Sequence, residues 1–127
     1  MPDQERTHVD KDQLFLLKPD FSDGGTGPWY CPSCATLEGL LSFYPKLRSQ
    51  LAVQYLDFPR PRTPVIAAIG EAHQGLPVLV IAVKADPASD AALQGLDVGT
   101  GTGHRFLNGV ADIGKYLARR YGIGAPH

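Results

Sequence analysis

The stretch Cys31-Pro32-Ser33-Cys34 holds the only two cysteines of the 127-residue chain. A structural disulfide is disfavoured in a reducing compartment, so two explanations remain for such a pair: thiol redox chemistry or half of a metal site. Proline is favoured at the first position of a helix, where its missing N–H costs nothing, so Pro32 predicts that Cys31 lies at a helix N-terminus. Cys34 then falls on the buried side of that helix.

The residues after the cysteines continue the helix. Leu37, Leu40, Leu41 and Tyr44 follow the i, i+3, i+4, i+7 spacing of one helical face, which Pro45 then interrupts. Apolar stretches at residues 12–18, 52–58, 77–83 and 105–107 predict strands, and residues 64–72 and 110–121 predict two further helices. The order is β-α-β-α-β-β-α, which predicts an α/β fold with a central mixed sheet flanked by helices.

Two long segments carry no regular pattern. Residues 19–30 are rich in glycine and proline and are interpreted as a loop that delivers the chain to the cysteines. Residues 85–103 lack firm periodicity, so no structure is assigned to this insertion, which is long for an internal connection.

Composition and charge argue against nucleic acid and membranes as partners. The formal net charge of −1 gives no attraction to nucleic acid or anionic lipid, and no apolar stretch is long enough to span a bilayer. The polar residues 1–11 lack the apolar segment of a secretory signal and are interpreted as a flexible leader. We expect one cytoplasmic domain at residues 12–122, followed by a tail at residues 123–127, and neither nucleic acid nor membrane as a partner.

From residue 14 to residue 122 the sequence resembles the thioredoxin superfamily, and its Cys-Pro-x-Cys motif is most similar to that of glutaredoxins. Leu76-Pro77-Val78 stands where the superfamily carries a cis-proline beside the cysteines. The resemblance implies a cis Leu76–Pro77 bond and a role for Leu76 and Pro77 in aligning the substrate. Residues 30–34 and 57–62 also resemble segments of a bacterial thioredoxin-like family of unknown function.

Residues 106–113 resemble the glutaredoxin segment that holds the γ-glutamyl end of glutathione. The resemblance gives Asp112 that binding role, although Asn108 stands in place of a glycine. An acidic residue in the first turn of a helix is also favoured by the helix dipole, which is the ordinary explanation of Asp112.

Charged and aromatic residues near the motif have two interpretations each. Arg60 and Arg62, presented between prolines, would meet a substrate carboxylate or would lie in a solvated loop. Trp29 and Tyr30 would form an apolar wall for a substrate or would cover the helix end.

A closed metal site is not expected, because the four histidines, His8, His73, His104 and His127, lack ligand spacing. An iron–sulfur cluster shared by two chains stays open.

These observations predict a thiol–disulfide oxidoreductase without a bound cofactor, with Cys31 as nucleophile and Cys34 as resolving thiol. The expected substrates are protein or small-molecule disulfides, with glutathione as a candidate co-substrate. The alternative is a non-catalytic binding or redox-sensing adaptor domain.

Overall fold

The computed structural model describes residues 11–82 and 87–127. These residues form seven β-strands: β1 (Gln13–Leu17), β2 (Phe21–Asp23), β3 (Thr26–Trp29), β4 (Ala52–Leu56), β5 (Val78–Val80), β6 (Gly99–Gly101) and β7 (His104–Leu107). They also form five α-helices: α1 (Pro32–Phe43), α2 (Lys46–Gln50), α3 (Thr63–Ile69), α4 (Pro87–Ala92) and α5 (Val110–Tyr121). Within these ranges no helix is long and apolar enough to cross a membrane.

Five strands form one mixed sheet in the order β4-β1-β5-β7-β6. β1 pairs in parallel with β4, whereas the β1–β5, β5–β7 and β6–β7 pairs are antiparallel. β2 and β3 form a separate antiparallel hairpin. The mixed α/β architecture that the sequence predicts is therefore present.

The side chains of β1 alternate between two cores. Leu14 and Leu16 belong to the core cluster on one face of the sheet, which takes in α1 and α5, and Phe15 belongs to the cluster on the other face, which takes in α3. Burial of a leucine or phenylalanine side chain stabilises the fold by about 1.5–3 kcal/mol. Both faces of β1 are therefore covered, as its continuous apolar run indicates.

Helix α1 begins and ends where the sequence predicts. Its buried residues are Cys34, Leu37 and Leu41, and its C-cap is Tyr44, directly before Pro45. The short helix α2 was not predicted. Pro45 has αR backbone angles (φ −58°, ψ −24°) and serves as the N-cap of α2, so the residue that interrupts one helix also opens the next.

The structure corrects the prediction of a loop at residues 19–30, which contain the β2–β3 hairpin. Gly24 and Gly25 have positive φ values of 59° and 79° at its turn, a conformation that glycine adopts without steric cost. The ring of Phe21 stacks on Phe58 with centroids 4.5 Å apart, which ties the hairpin to the loop after β4. The strands are short and largely exposed, so they lack the buried alternation by which a strand is recognised.

Residues 85–103 also contain structure that the sequence did not predict, namely α4 and β6; residues 85 and 86 lie outside the described ranges. A side chain at Gly99 would collide with the ring of Phe106, and one at Gly101 would collide with the carbonyl of Ile69. Glycine is what lets β6 lie this close to its neighbours. Because glycine is depleted in strands generally, the pattern argued against one here.

The other predicted elements are present with shifted ends. β4 and β5 are shorter than the predicted 52–58 and 77–83, and residue 83 lies outside the described ranges. Helix α5 ends at Gly122 in the left-handed conformation (φ 76°), with Arg119 and Arg120 in its last turn. Of the predicted leader, residues 1–10 lie outside the described ranges.

A buried polar network lies at the start of β1. Asp12 is 4% exposed and accepts hydrogen bonds from the backbone N–H of Ala82 at 2.9 Å and from the hydroxyl groups of Tyr116 and Tyr121. Burial and the negative charge of Asp12 raise the pKa of both tyrosines well above their ordinary value. The network joins β1 to α5 at the opposite end of β1 from the cysteines, since Leu17 at the other end contacts Cys34.

Candidate thiol site

Cys31 is the N-cap of α1. Its backbone is extended (φ −83°, ψ 115°), Pro32 is at the start of the helix, and Cys31 Sγ accepts a hydrogen bond from the backbone N–H of Cys34 at 3.2 Å. A side chain in this position receives an otherwise unpaired N–H and the positive end of the helix dipole. Cys31 Sγ is therefore the acceptor that satisfies a free N–H at the start of α1.

Cys34 has a different environment one turn further on. Its side chain belongs to the main core and is 4% exposed, whereas Cys31 is half-buried at the edge of the same core. Cys34 Sγ accepts a hydrogen bond from Leu17 N at 3.4 Å. Burial, reinforced by the hydrogen bond to Cys31, raises the pKa of Cys34 to about 12. The prediction that Cys34 lies on the buried side of the helix is confirmed.

Arg62 interacts electrostatically with both thiols and differs from its sequence-based interpretation as a loop cation. It is only 7% exposed, and its guanidinium donates to the carbonyls of Phe58 (2.6 and 3.1 Å) and Gln74 (2.8 Å). Its Cζ lies 5.5 Å from the centre of the Phe58 ring. Its hydrogen bonds to carbonyls hold the guanidinium largely in the interior, and its small exposed part borders the same depression as Arg60.

The charge of Arg62 has no carboxylate partner within the described ranges. Its electrostatic partners are Cys34 and Cys31, which attract it when ionised, and Arg60, which repels it. Burial, followed by the repulsion from Arg60, lowers the pKa of Arg62. A buried cation is costly unless anions compensate it, and the two thiols supply that compensation when they ionise.

The Leu76–Pro77 bond is cis, as the sequence predicts. Pro77 is buried, and Leu76 packs against both core clusters. The side-chain amide of Asn108 donates to the carbonyls of Gly75 and Pro77, both at 3.3 Å. Asn108 thus fastens this segment to the end of β7.

Asp112 lies in the first turn of α5, as predicted. Its Oδ2 accepts a hydrogen bond from the backbone N–H of Asp97 at 3.1 Å, which anchors the connection between α4 and β6. The described contacts thus give Asp112 a structural task, and its predicted role toward glutathione stays a prediction.

An open cleft of about 440 Å³ borders both cysteines. Its walls are mainly apolar, and they include the aromatic ring of Tyr30 and two carboxylates. The lining residues are Leu16, Leu17, Pro19, Asp20, Tyr30, Cys31, Cys34, Ala35, Glu38 and Tyr55. The sequence pointed to Tyr30 and the cysteines here; Asp20, Glu38 and Tyr55 were missed, because only the fold brings β1, α1 and β4 to one place.

Tyr55 and Glu38 are held together on the cleft wall by Arg48. The Tyr55 hydroxyl donates to Glu38 Oε1 at 2.6 Å and accepts from Arg48 Nη1 at 2.9 Å, and Arg48 also forms an ion pair with Glu38. The charge of Glu38 is therefore balanced locally. Asp20, by contrast, forms no hydrogen bond or ion pair within the part of the chain that the structure describes.

Trp29 is half exposed on β3 and donates from Nε1 to the Thr26 hydroxyl at 3.2 Å. Arg60 is exposed in a neighbouring depression of about 370 Å³, which also contains Lys18; the Lys18 ammonium is 3.1 Å from Asp57. Of the two loop arginines, Arg60 is thus the one exposed to solvent. Among the described residues, no group of three or more histidine, cysteine, aspartate or glutamate side chains is arranged to hold a metal ion.

Fold and site together define a small α/β protein with a mixed sheet and a Cys-x-x-Cys pair at the start of a helix. Residues 11–125 match the family described as a protein of unknown function (DUF3088), and the chain belongs to that family. No curated protein and no solved structure matches the chain. The matched range includes the whole domain predicted at residues 12–122.

Proposed function

We propose that the protein is a thiol–disulfide oxidoreductase of the thioredoxin-like type, with Cys31 as nucleophile and Cys34 as resolving thiol. The observation that carries the proposal is the asymmetry of the pair. Cys31 is accessible and receives a helix N–H, while Cys34 is buried one turn away. This is the arrangement that two-step thiol exchange requires.

The fold supports the same proposal. When the β2–β3 hairpin, α2, α4 and β6 are set aside, the remaining elements follow the order β-α-β-α-β-β-α with the sheet order β4-β1-β5-β7. The cysteine helix α1 then connects the two parallel strands β1 and β4. This is the order of elements that the thioredoxin-like interpretation of the sequence predicts.

The chemistry balances in two exchange steps. The Cys31 thiolate attacks one sulfur of a substrate disulfide, the substrate S–S bond breaks, and the departing thiolate takes up a proton. The Cys34 thiolate then attacks Cys31 Sγ and releases the second substrate thiol, which leaves a Cys31–Cys34 disulfide. The substrate gains two electrons, and two thiol equivalents, such as two glutathione molecules, reduce the protein again and form one disulfide.

Arg62 stabilises the Cys34 thiolate that the second exchange step requires. Cys34 must lose its proton in an apolar environment that raises its pKa to about 12. A cation that interacts with both sulfur atoms favours the thiolate over the thiol at that moment. We therefore assign Arg62 a charge-stabilising role toward Cys34.

Glutathione is the proposed co-substrate, in the cytoplasm, where the thiol pool keeps such a pair reduced. Asp112 is the proposed partner of its ammonium group and Arg60 of a carboxylate. Exposed charge pairs contribute about 0.2–1 kcal/mol each, so Asp112→Asn should weaken glutathione use only severalfold.

A reductase assay tests the proposal, with glutathione and glutathione reductase in one arm and thioredoxin reductase in the other. Turnover of a protein or small-molecule disulfide is expected with at least one donor, and Cys31→Ser should abolish it. Lys46→Gln is the matched control, because Lys46 is an exposed residue of α2 that lines neither the cleft at the cysteines nor the depression around Arg60. Absence of turnover by the folded protein with both donors would overturn the proposal and favour a non-catalytic adaptor.

A further inference from the structure

The cleft beside the cysteines is asymmetric in charge. Among the residues that the structure describes, its lining contains two carboxylates, Asp20 and Glu38, and neither lysine nor arginine. Arg48 neutralises Glu38 through their ion pair, so Asp20 supplies the uncompensated charge. The buried charge of Arg62 acts on the two sulfur atoms, whereas at the exposed Asp20 a bound group with a positive charge is favoured and an anionic group is disfavoured.

The rest of the lining suits an apolar body. Leu16, Leu17 and Ala35 form an aliphatic surface beside the sulfur atoms, and the Tyr30 ring is 63% exposed at the edge of the cleft. Tyr55 is fixed by its hydrogen bonds to Glu38 and Arg48. Aromatic rings of this kind bind flat apolar groups and attract cations to their faces.

We propose that this cleft binds the substrate, and that the substrate is a small disulfide with an apolar body and an ammonium group directed toward Asp20. The inference rests on the proposed thiol exchange and names the class of molecule that enters it. The cleft includes neither Asp112 nor Arg60, so it is separate from the proposed glutathione anchors. A cationic substrate and an anionic reductant would then be bound by different residues when they react with Cys31.

The backbone of Asp20 allows a clean test. Its φ is 62°, in the left-handed region that asparagine and aspartate tolerate better than other non-glycine residues. Asp20→Asn therefore removes the charge and keeps a residue suited to this conformation. Asp23→Asn is the matched control, because Asp23 is an exposed carboxylate of the same hairpin region that does not line the cleft.

The kinetic experiment compares two disulfides of similar size and opposite charge, cystamine and 3,3′-dithiodipropionate, in single-turnover reactions with the reduced protein. Rates are divided by those of dithiothreitol with the same disulfides, which removes intrinsic reactivity. Cystamine should react faster, and Asp20→Asn should reduce that preference by about two- to fivefold, the effect of one partly exposed charge pair. High salt should weaken the preference.

An unchanged preference in Asp20→Asn, or the same loss in Asp23→Asn, would overturn the proposal.

A second measurement does not depend on redox activity. Millimolar benzylamine should slow the alkylation of Cys31 by iodoacetamide, whereas benzoate should not, and Asp20→Asn should abolish the difference. If benzylamine protects but no disulfide is reduced, the oxidoreductase proposal fails and the cleft assignment stands. If disulfides are reduced without charge preference and without protection, the cleft assignment fails and the oxidoreductase proposal stands.

Discussion

The backbone N–H of Cys34 donates a hydrogen bond to Cys31 Sγ at 3.2 Å, so the first cysteine of the pair caps the helix that contains the second. The same turn of helix buries the Cys34 side chain in the core. This one turn of helix therefore gives the two cysteine side chains different exposure to solvent and different hydrogen-bond partners.

The first prediction concerns the order of alkylation. With limiting iodoacetamide at neutral pH, Cys31 should be labelled before Cys34, because Cys34 is buried and its pKa is raised to about 12. Peptide mass spectrometry of the reduced protein reads the order directly. Cys34→Ser should keep the labelling rate of Cys31 within a few fold. Earlier labelling of Cys34 would reverse the assigned roles.

The second prediction concerns Arg62. Arg62→Gln removes a buried charge and leaves the carbonyls of Phe58 and Gln74 short of donors, so we expect a loss of about 1–3 kcal/mol in the free energy of unfolding. It should also slow the attack of Cys34, so that a mixed disulfide on Cys31 accumulates after a stoichiometric pulse of substrate.

Arg62→Lys separates the two effects, because lysine keeps the charge but not the planar set of donors. It should restore much of the resolving rate while the stability stays low. Acid-quenched mass spectrometry follows the mixed disulfide, and urea unfolding gives the stability. Equal accumulation in the glutamine and lysine variants would mean that Arg62 acts only through the fold.

The third prediction concerns the network around Asp12. Tyr116→Phe removes a hydroxyl that donates to a buried carboxylate, so the free energy of unfolding should fall by about 1–3 kcal/mol. Tyr30→Phe, at an exposed ring, should change it by less than about 0.5 kcal/mol. Urea unfolding of both variants provides the comparison, and equal effects would contradict the structural role of Asp12.

The fourth prediction concerns alkaline pH. The pKa of Cys34 is raised from 9.0 to about 12 in the folded protein. Between these values the unfolded chain loses a proton that the folded protein keeps, so stability falls as pH rises, by at most about 1.4 kcal/mol per pH unit for this group. The stabilising contribution is complete below pH 9.0 and is lost by about pH 12.

The control for the pH profile is Cys34→Ala, which should flatten the slope above pH 9.0. The raised pKa values of Tyr55, Tyr116 and Tyr121 add slope in the same direction, mainly above 10.0, the ordinary pKa of tyrosine. The difference in slope between wild type and Cys34→Ala at pH 9.0 to 10.0 therefore reports Cys34. An identical slope in wild type and Cys34→Ala would contradict the raised pKa.

Local signals in the sequence were enough to place the thiol pair. Pro32 at a helix start and the leucine spacing after Cys34 predict α1 and the orientation of both cysteines, because helix capping and helical periodicity are properties of neighbouring residues. Four of the seven described strands were also predicted in their order along the chain, and the cis Leu76–Pro77 bond that the resemblance implied is present.

The features that the sequence did not reveal depend on residues far apart in the chain. Arg62 is buried because Gln74, twelve residues later, supplies acceptors for it. Asp20 joins the cleft because β1, α1 and β4 meet there. β6 forms because its glycines permit a close approach to Phe106. The strand propensities of the residues in β6 give no sign of this contact.

The most direct measurement of the central claim is the capture of the mixed disulfide. Cys34→Ser lacks the resolving thiol, so reaction with a stoichiometric amount of a small disulfide should trap one substrate moiety per chain, attached to Cys31 and released by dithiothreitol. Cys31→Ser should trap none under the same conditions. Intact-mass and peptide-mass analysis of the two variants decides the matter: an adduct on Cys31 alone is the predicted result, whereas equal adducts in both variants, or none in either, would contradict Cys31 as the nucleophile.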